Sequence, residues 1–137
     1  MLVAISTGAL GLGACSSGGG GAAPQLTVTE REFSLSPSVQ QVTAGKVTIK
    51  VDDAGKASHE LVAFASDLPE GQLPLTAKGD RIDEEATGIT HFDPEAENVA
   101  SGKSKTITID LPKGRYVFVC NLSGHYGQGM HTVVTSV

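Results

Sequence analysis

Gly114-Arg115-Tyr116-Val117-Phe118-Val119-Cys120-Asn121-Leu122-Ser123-Gly124-His125-Tyr126-Gly127-Gln128-Gly129-Met130 is the stretch that decides the fold. Its first part is apolar, with Tyr116, Phe118 and Cys120 alternating with Val117 and Val119. Such a run reads as a strand, because successive side chains of an extended chain point to opposite faces. Its second part is a glycine-rich loop that carries a thiol, an imidazole and a thioether at spacings of five residues. A strand of about His131 to Val137 follows, so three metal-ligating side chains sit on one loop between two strands.

The same alternation extends upstream. Leu26 and Val28, then Phe33 and Leu35, alternate with polar residues, and Ser36-Pro37-Ser38 interrupts before Val39 to Val42. Val47, Ile49 and Val51 alternate again until Asp52-Asp53-Ala54-Gly55, which reads as a turn into the apolar run His59 to Phe64. Ile107, Ile109 and Leu111 share one face, and Pro112-Lys113-Gly114 turns the chain into the opening strand. Ser66 to Pro94 holds Pro69, Pro74 and Pro94, several glycines and Asp83-Glu84-Glu85, and is expected to be a long excursion with one helical turn at Asp83 to Ala86. Seven to eight short strands with turn signals between them predict an all-β, Greek-key β-sandwich. Scarce aromatics (4%), no Trp and 17 glycines suit that class better than a helical bundle.

A chain of 137 residues is one domain long. Its net charge of −5 argues against nucleic acid, which calls for a basic face. Monomer is the default expectation.

The N-terminal segment reads separately. The first charged side chain is Glu30, and Leu2 to Leu12 is an apolar run too short to span a bilayer but suited to the core of a signal peptide. Leu12-Gly13-Ala14-Cys15 resembles the lipobox of bacterial lipoproteins. That resemblance implies a signal peptide over 1–14, a lipidated Cys15, a flexible linker to 25 and a domain over 26–137. The basic segment that normally opens a signal peptide is not seen before Leu2, so the start is expected to lie upstream. A lipid anchor would hold the domain on the exported side of the cell membrane, at its periplasmic or extracellular face. Cys15 and Cys120 are the two cysteines, and each has a separate role rather than a shared disulfide.

Cys120, His125 and Met130 are joined by His59, an imidazole at the start of an upstream apolar run. Two imidazoles, one thiolate and a weak thioether are what a blue-copper centre uses. His91 and His131 are expected to be surface residues rather than ligands. Cys-x4-His-x4-Met, preceded by Gly-x-Tyr-x-Phe-x-Cys, resembles the cupredoxin family over Leu26 to Val137. The form is similar to that of small bacterial cupredoxin-domain lipoproteins, although the Cys-to-His gap is longer than in plastocyanins. The resemblance implies an eight-stranded sandwich holding one copper ion through His59, Cys120, His125 and Met130. It also implies an electron path through the solvent edge of His125, with Leu122 and Tyr126 in the docking surface.

Asn121 is expected to stiffen the loop, and the Glu60 backbone amide to donate to the Cys120 sulfur. The function expected is a one-electron carrier between membrane-associated redox partner proteins. The alternative is a copper-binding or delivery lipoprotein, which usually needs more than the two Met present. An enzyme is not expected, since further copper sites need more than four His in total.

Overall fold

A computed structural model describes residues 23–137. Nine strands form two sheets: β1 (Leu26–Arg31), β2 (Ser34–Pro37), β3 (Gln41–Val42), β4 (Gly45–Asp53), β5 (His59–Ala65), β6 (Thr90–Val99), β7 (Ser104–Leu111), β8 (Gly114–Val119) and β9 (His131–Ser136). The order is β2-β1-β4-β7 in one sheet and β3-β9-β8-β5-β6 in the other. Neighbours pair antiparallel except β1 with β4 and β3 with β9, which are parallel. Among the described residues no helix is long and apolar enough to cross a membrane. The expected all-β sandwich is the fold observed.

The two sheets close over one core. Leu26, Val28, Val47, Ile49 and Val51 point inward from the first sheet and meet Leu61, Tyr116, Phe118 and Val134 from the second. Each alternates with an outward neighbour, so the apolar set is sorted to one face by register alone. Burial at about 25 cal/mol per Å² of apolar surface makes this the main stabilising term.

The excursion does more than was expected of it. Val62, Phe64, Val117 and Val119 lie on the outer face of the second sheet, where Leu73 and Ile82 of the excursion and Tyr126 cover them in a second apolar cluster. That cover explains why β5 and β8 read as near-continuous apolar runs: both of their faces are buried. The expected helical turn at Asp83 to Ala86 is instead a reverse turn closed by Ala86 N–H to Asp83 O at 3.0 Å. Among the described residues the one short helical turn is 3-10, at Tyr126–Gln128 in the loop after β8.

The excursion also ends earlier than expected, because Thr90–Val99 is strand. Pro94 sits within it, at the edge of its sheet, where a missing backbone N–H breaks no ladder. Register shifts interrupt its pairing with β5 between His59 and Leu61 and again between Leu61 and Ala63.

Candidate metal centre

Cys120 follows β8 directly, and its backbone N–H donates to Met130 O at 3.0 Å, which ties the two ends of the loop together. Met130 N–H donates to His125 O at 3.2 Å, and His125 N–H donates to Leu122 O at 2.9 Å. The loop therefore folds on itself and brings the backbones of Cys120, His125 and Met130 together. Gly129 has φ +109°, a left-handed conformation that side chains rarely adopt, and lets the chain reverse immediately before Met130.

The Cys120 sulfur lies 3.4 Å from His125 Nδ1. The His125 ring in turn lies 5.3 Å from that of His59, centroid to centroid. Cys120, Met130 and His59 are all fully buried, and Met130 packs in the same core cluster as Cys120. His59 enters at the first residue of β5, so its position is set by a core strand.

Burial pushes the Cys120 thiol up to about 11, while the Leu122 and Glu60 backbone amides act on it in the opposite direction. Burial, and then His59, hold the His125 imidazole below its ordinary value, which keeps its lone pair available. His59 Nε2 is buried without a hydrogen-bond partner. A thiol, an orphaned imidazole nitrogen, a second imidazole and a thioether form a donor set that fits copper.

The surroundings differ from expectation in several particulars. Asn121 reaches out of the loop rather than across it. Its Oδ1 accepts the Ile82 N–H at 2.7 Å, and its Nδ2 donates to Ile82 O at 3.2 Å and to Glu84 Oε1 at 2.8 Å. Asp80 adds to the same junction, accepting from the Ser123 hydroxyl at 2.7 Å and, through its carbonyl, from Gly124 N–H at 2.8 Å. The ligand loop is therefore braced by the excursion.

Tyr126 is buried, not part of an exposed docking surface. Its hydroxyl accepts from Leu73 N–H at 2.9 Å and donates to Glu70 O at 2.8 Å. The exposed ring beside His125 is Phe33, edge-on with centroids 5.4 Å apart. His91 and His131 are half-buried rather than on the surface. His91 lies 2.8 Å from Glu95, and His131 lies 3.3 Å from Glu70.

Two buried acids near His59 were missed in the sequence. Asp53 Oδ2 lies 3.1 Å from His59 Nδ1, and Glu30 lies beside them on the neighbouring strand, paired with Asp53 in the parallel register. The signal was available in the period. Asp53 continues the inward series Val47, Ile49, Val51, and Glu30 continues Leu26, Val28. The Asp52-Asp53 pair reads as a turn because the last inward position of a strand and the first residue of a turn look alike.

The Cys120–His125 contact, with the His59 ring beside His125 and Met130 in the same core as Cys120, places a donor set suited to copper on a β-sandwich. The chain belongs to the copper-binding plastocyanin/azurin family, whose sequence profile matches residues 22–136. Among solved structures it is similar to dithionite-reduced auracyanin from the photosynthetic bacterium Roseiflexus castenholzii, at 23% identity and a TM-score of 0.56, over 85% of this chain and 99% of that one. Auracyanin A, a "blue" copper protein from the green thermophilic photosynthetic bacterium Chloroflexus aurantiacus, matches at 18% identity and TM-score 0.50, over 81% and 99%. Reduced rusticyanin matches at 16% identity and TM-score 0.51, over 81% and 76%. At these identities the structures share the fold. A comparison with curated protein sequences finds no match.

Proposed function

We propose that the protein carries single electrons on one copper ion held by His59, Cys120, His125 and Met130. The observation that carries this reading is the 3.4 Å approach of the fully buried Cys120 sulfur to Nδ1 of the half-exposed His125. When bound, copper supplies a one-electron Cu(II)/Cu(I) couple that a thiolate, two imidazoles and a thioether stabilise together. The chain's own part is to exclude water from Cys120 and Met130, to hold the loop rigid, and to leave one ligand near solvent. His125 is that ligand, half-exposed with the exposed Phe33 ring on its flank. Burial of the sulfur also favours the carrier over a delivery protein, whose ligands need to be handed to a partner.

We further propose that Cys15 is lipidated and that the domain works on the exported side of the cell membrane, between membrane-associated donor and acceptor proteins. Cys15, the signal segment and most of the linker lie outside the described residues. A Gly/Ser-type linker of about ten residues, the composition found between Cys15 and Leu26, would give the domain an average reach of roughly 15–20 Å.

The test of the centre is an optical and EPR spectrum of the copper-loaded protein with reversible voltammetry. An intense thiolate-to-copper band with one copper per chain, lost in Cys120→Ser, is expected. A colourless protein that still binds copper in Cys120→Ser would overturn the carrier reading. Globomycin-sensitive processing and palmitate labelling at Cys15 test the anchor, and a soluble unlabelled product would refute it.

A further inference from the structure

We propose that Glu84, His91 and Glu95 form a second metal site, one imidazole and two carboxylates that take a divalent ion of the zinc class. All three side chains are half-buried, and each can offer one ligand atom within 4.8 Å of the others. His91 Nε2 lies 2.8 Å from Glu95 Oε1, and Nδ1 of the same ring lies 4.0 Å from Glu84 Oε2. Zinc bonds of about 2.1 Å set neighbouring donors about 3.0–3.4 Å apart. His91 Nε2 is shut off from water and makes no hydrogen bond, even to the carboxylate beside it. An oxygen this close to a ring nitrogen needs positive charge between them, and the pair is not aligned to share a proton. Glu84, the most exposed of the three, closes the remaining distance by rotating.

The fold builds this grouping in two ways. In an even strand, residues four apart stand about 13 Å from each other, too far to share an ion. Here Ala63 pairs with Phe92 and Leu61 with Ala96, so β6 takes four residues where β5 takes two. The bulge brings Glu95 back to His91, in the way such irregularities re-aim side chains. His91 itself pairs with Phe64, and its ring rests on that fully buried ring with centroids 5.5 Å apart. Glu84 comes from the excursion. Asn121 Nδ2 donates to its Oε1 at 2.8 Å, which leaves Oε2 to face the imidazole.

The charges around the ring point the same way. Asp93 Oδ1 lies 4.0 Å from His91 Nε2, and Glu97 and Glu60 of β5 lie within range of Glu95, with Arg81 of the excursion facing them. Burial, and then Glu84, push the Glu95 carboxyl above its ordinary value, while His91 acts in the opposite direction. So many acids on one half-buried patch repel each other, and a cation held between two of them relieves that repulsion. Oxygen donors alone would suit magnesium or calcium, but an imidazole beside carboxylates suits zinc.

The test adds zinc alone to the metal-free full chain and, in parallel, to Cys120→Ser, which disables the centre described above. In both proteins zinc is expected to shift the His91 ring signals in NMR and to raise Tm with concentration. In the Cys120→Ser background, His91→Gln and Glu95→Gln are expected to weaken zinc binding at least about 10–100-fold, the loss that even an outer-shell partner of a metal causes. A plain ion pair would behave differently: Glu95→Gln would lower the Tm of the metal-free protein, and zinc would change nothing. That pattern, His91 signals that zinc does not move, or equal zinc affinity in His91→Gln and its parent would overturn the proposal. The His91 signals of wild type read the site directly, whichever variants fold. A protein that takes zinc at His91 but never develops a thiolate-to-copper band refutes the carrier reading alone.

Discussion

Replacing Asn121 by Ala separates the ligand loop from the excursion that braces it, and the structure sets the size of the effect. The amide makes three contacts, accepting from Ile82 N–H and donating to Ile82 O and to Glu84. Ile82 is 2% exposed, so water cannot replace the lost partner without opening the outer apolar cluster. Leaving a buried donor or acceptor unsatisfied costs about 1–3 kcal/mol each. Glu84 is more exposed and recovers water, so it adds little. The expected loss is therefore about 2–6 kcal/mol, read as a lower urea midpoint at unchanged slope in the metal-free protein and as a fall in Tm of roughly 10–20 °C. Asn121→Asp retains the acceptor for Ile82 but loses the donor and faces Glu84 with a second carboxylate. It should lie between wild type and Ala at neutral pH, and recover toward wild type in acid. In the copper-loaded protein the loosened loop should also shift the reduction potential. A stability loss below about 0.5 kcal/mol, the range of ordinary surface changes, with an unchanged potential would refute the bracing argument.

Other expectations follow from the same geometry. Tyr126→Phe removes the hydroxyl that accepts from the buried Leu73 N–H, and should cost about 1–3 kcal/mol in urea unfolding with little change in the copper spectrum. Met130→Leu nearly conserves volume at a fully buried position, so it should cost less than about 1.5 kcal/mol. Losing the thioether withdraws a donor that Cu(II) needs more than Cu(I), so voltammetry should show a higher potential. Glu30 is raised from 4.5 to about 8 by burial, then by Asp53, then by Glu60. Between those two values the folded state holds a proton that the unfolded state has released, so metal-free stability should fall as pH rises from about 5 to 8, by up to roughly 4 kcal/mol. Asp53, Glu60 and His59 face this group, so the Glu30→Gln variant provides the comparison: it should lose most of that slope, and an unchanged slope would place the pH dependence elsewhere.

The sandwich was legible because its core strands alternate. β4 and β7 place apolar residues at every second position, β8 is an apolar run buried on both faces, and the turn chemistry of Pro112-Lys113-Gly114 separates the last two. β6 was not legible, since only Ala96 and Val99 are buried along it and Pro94 interrupts the run. Its strand conformation comes from pairing with β5, a long-range interaction that leaves no local period. The cover provided by the excursion was hidden for a related reason. Leu73 and Ile82 are single apolar residues among turns, and only contact with Val62 and Val119 gives them meaning. At the candidate centre, Cys120, His125 and Met130 stand out by their spacing and His59 by its place before an apolar strand, and the structure puts the Cys120 sulfur against His125 and the His59 ring beside it. The supporting shell was less so: Asn121 was expected to act within its own loop, while its partners lie far away in sequence. Phe33 went unread beside His125 because its alternation with Leu35 suggested a half-buried strand residue.

β6 closes the five-stranded sheet on an open side, and it is built poorly for recruiting another strand. Proline, two irregularities of register and the acids Asp93, Glu95 and Glu97 all lie along it. Such features blunt self-association through free backbone groups. If the protein is tethered to a membrane as proposed, that refusal keeps encounters between copies brief and the population dispersed at densities where a flat, apolar margin would seed aggregates.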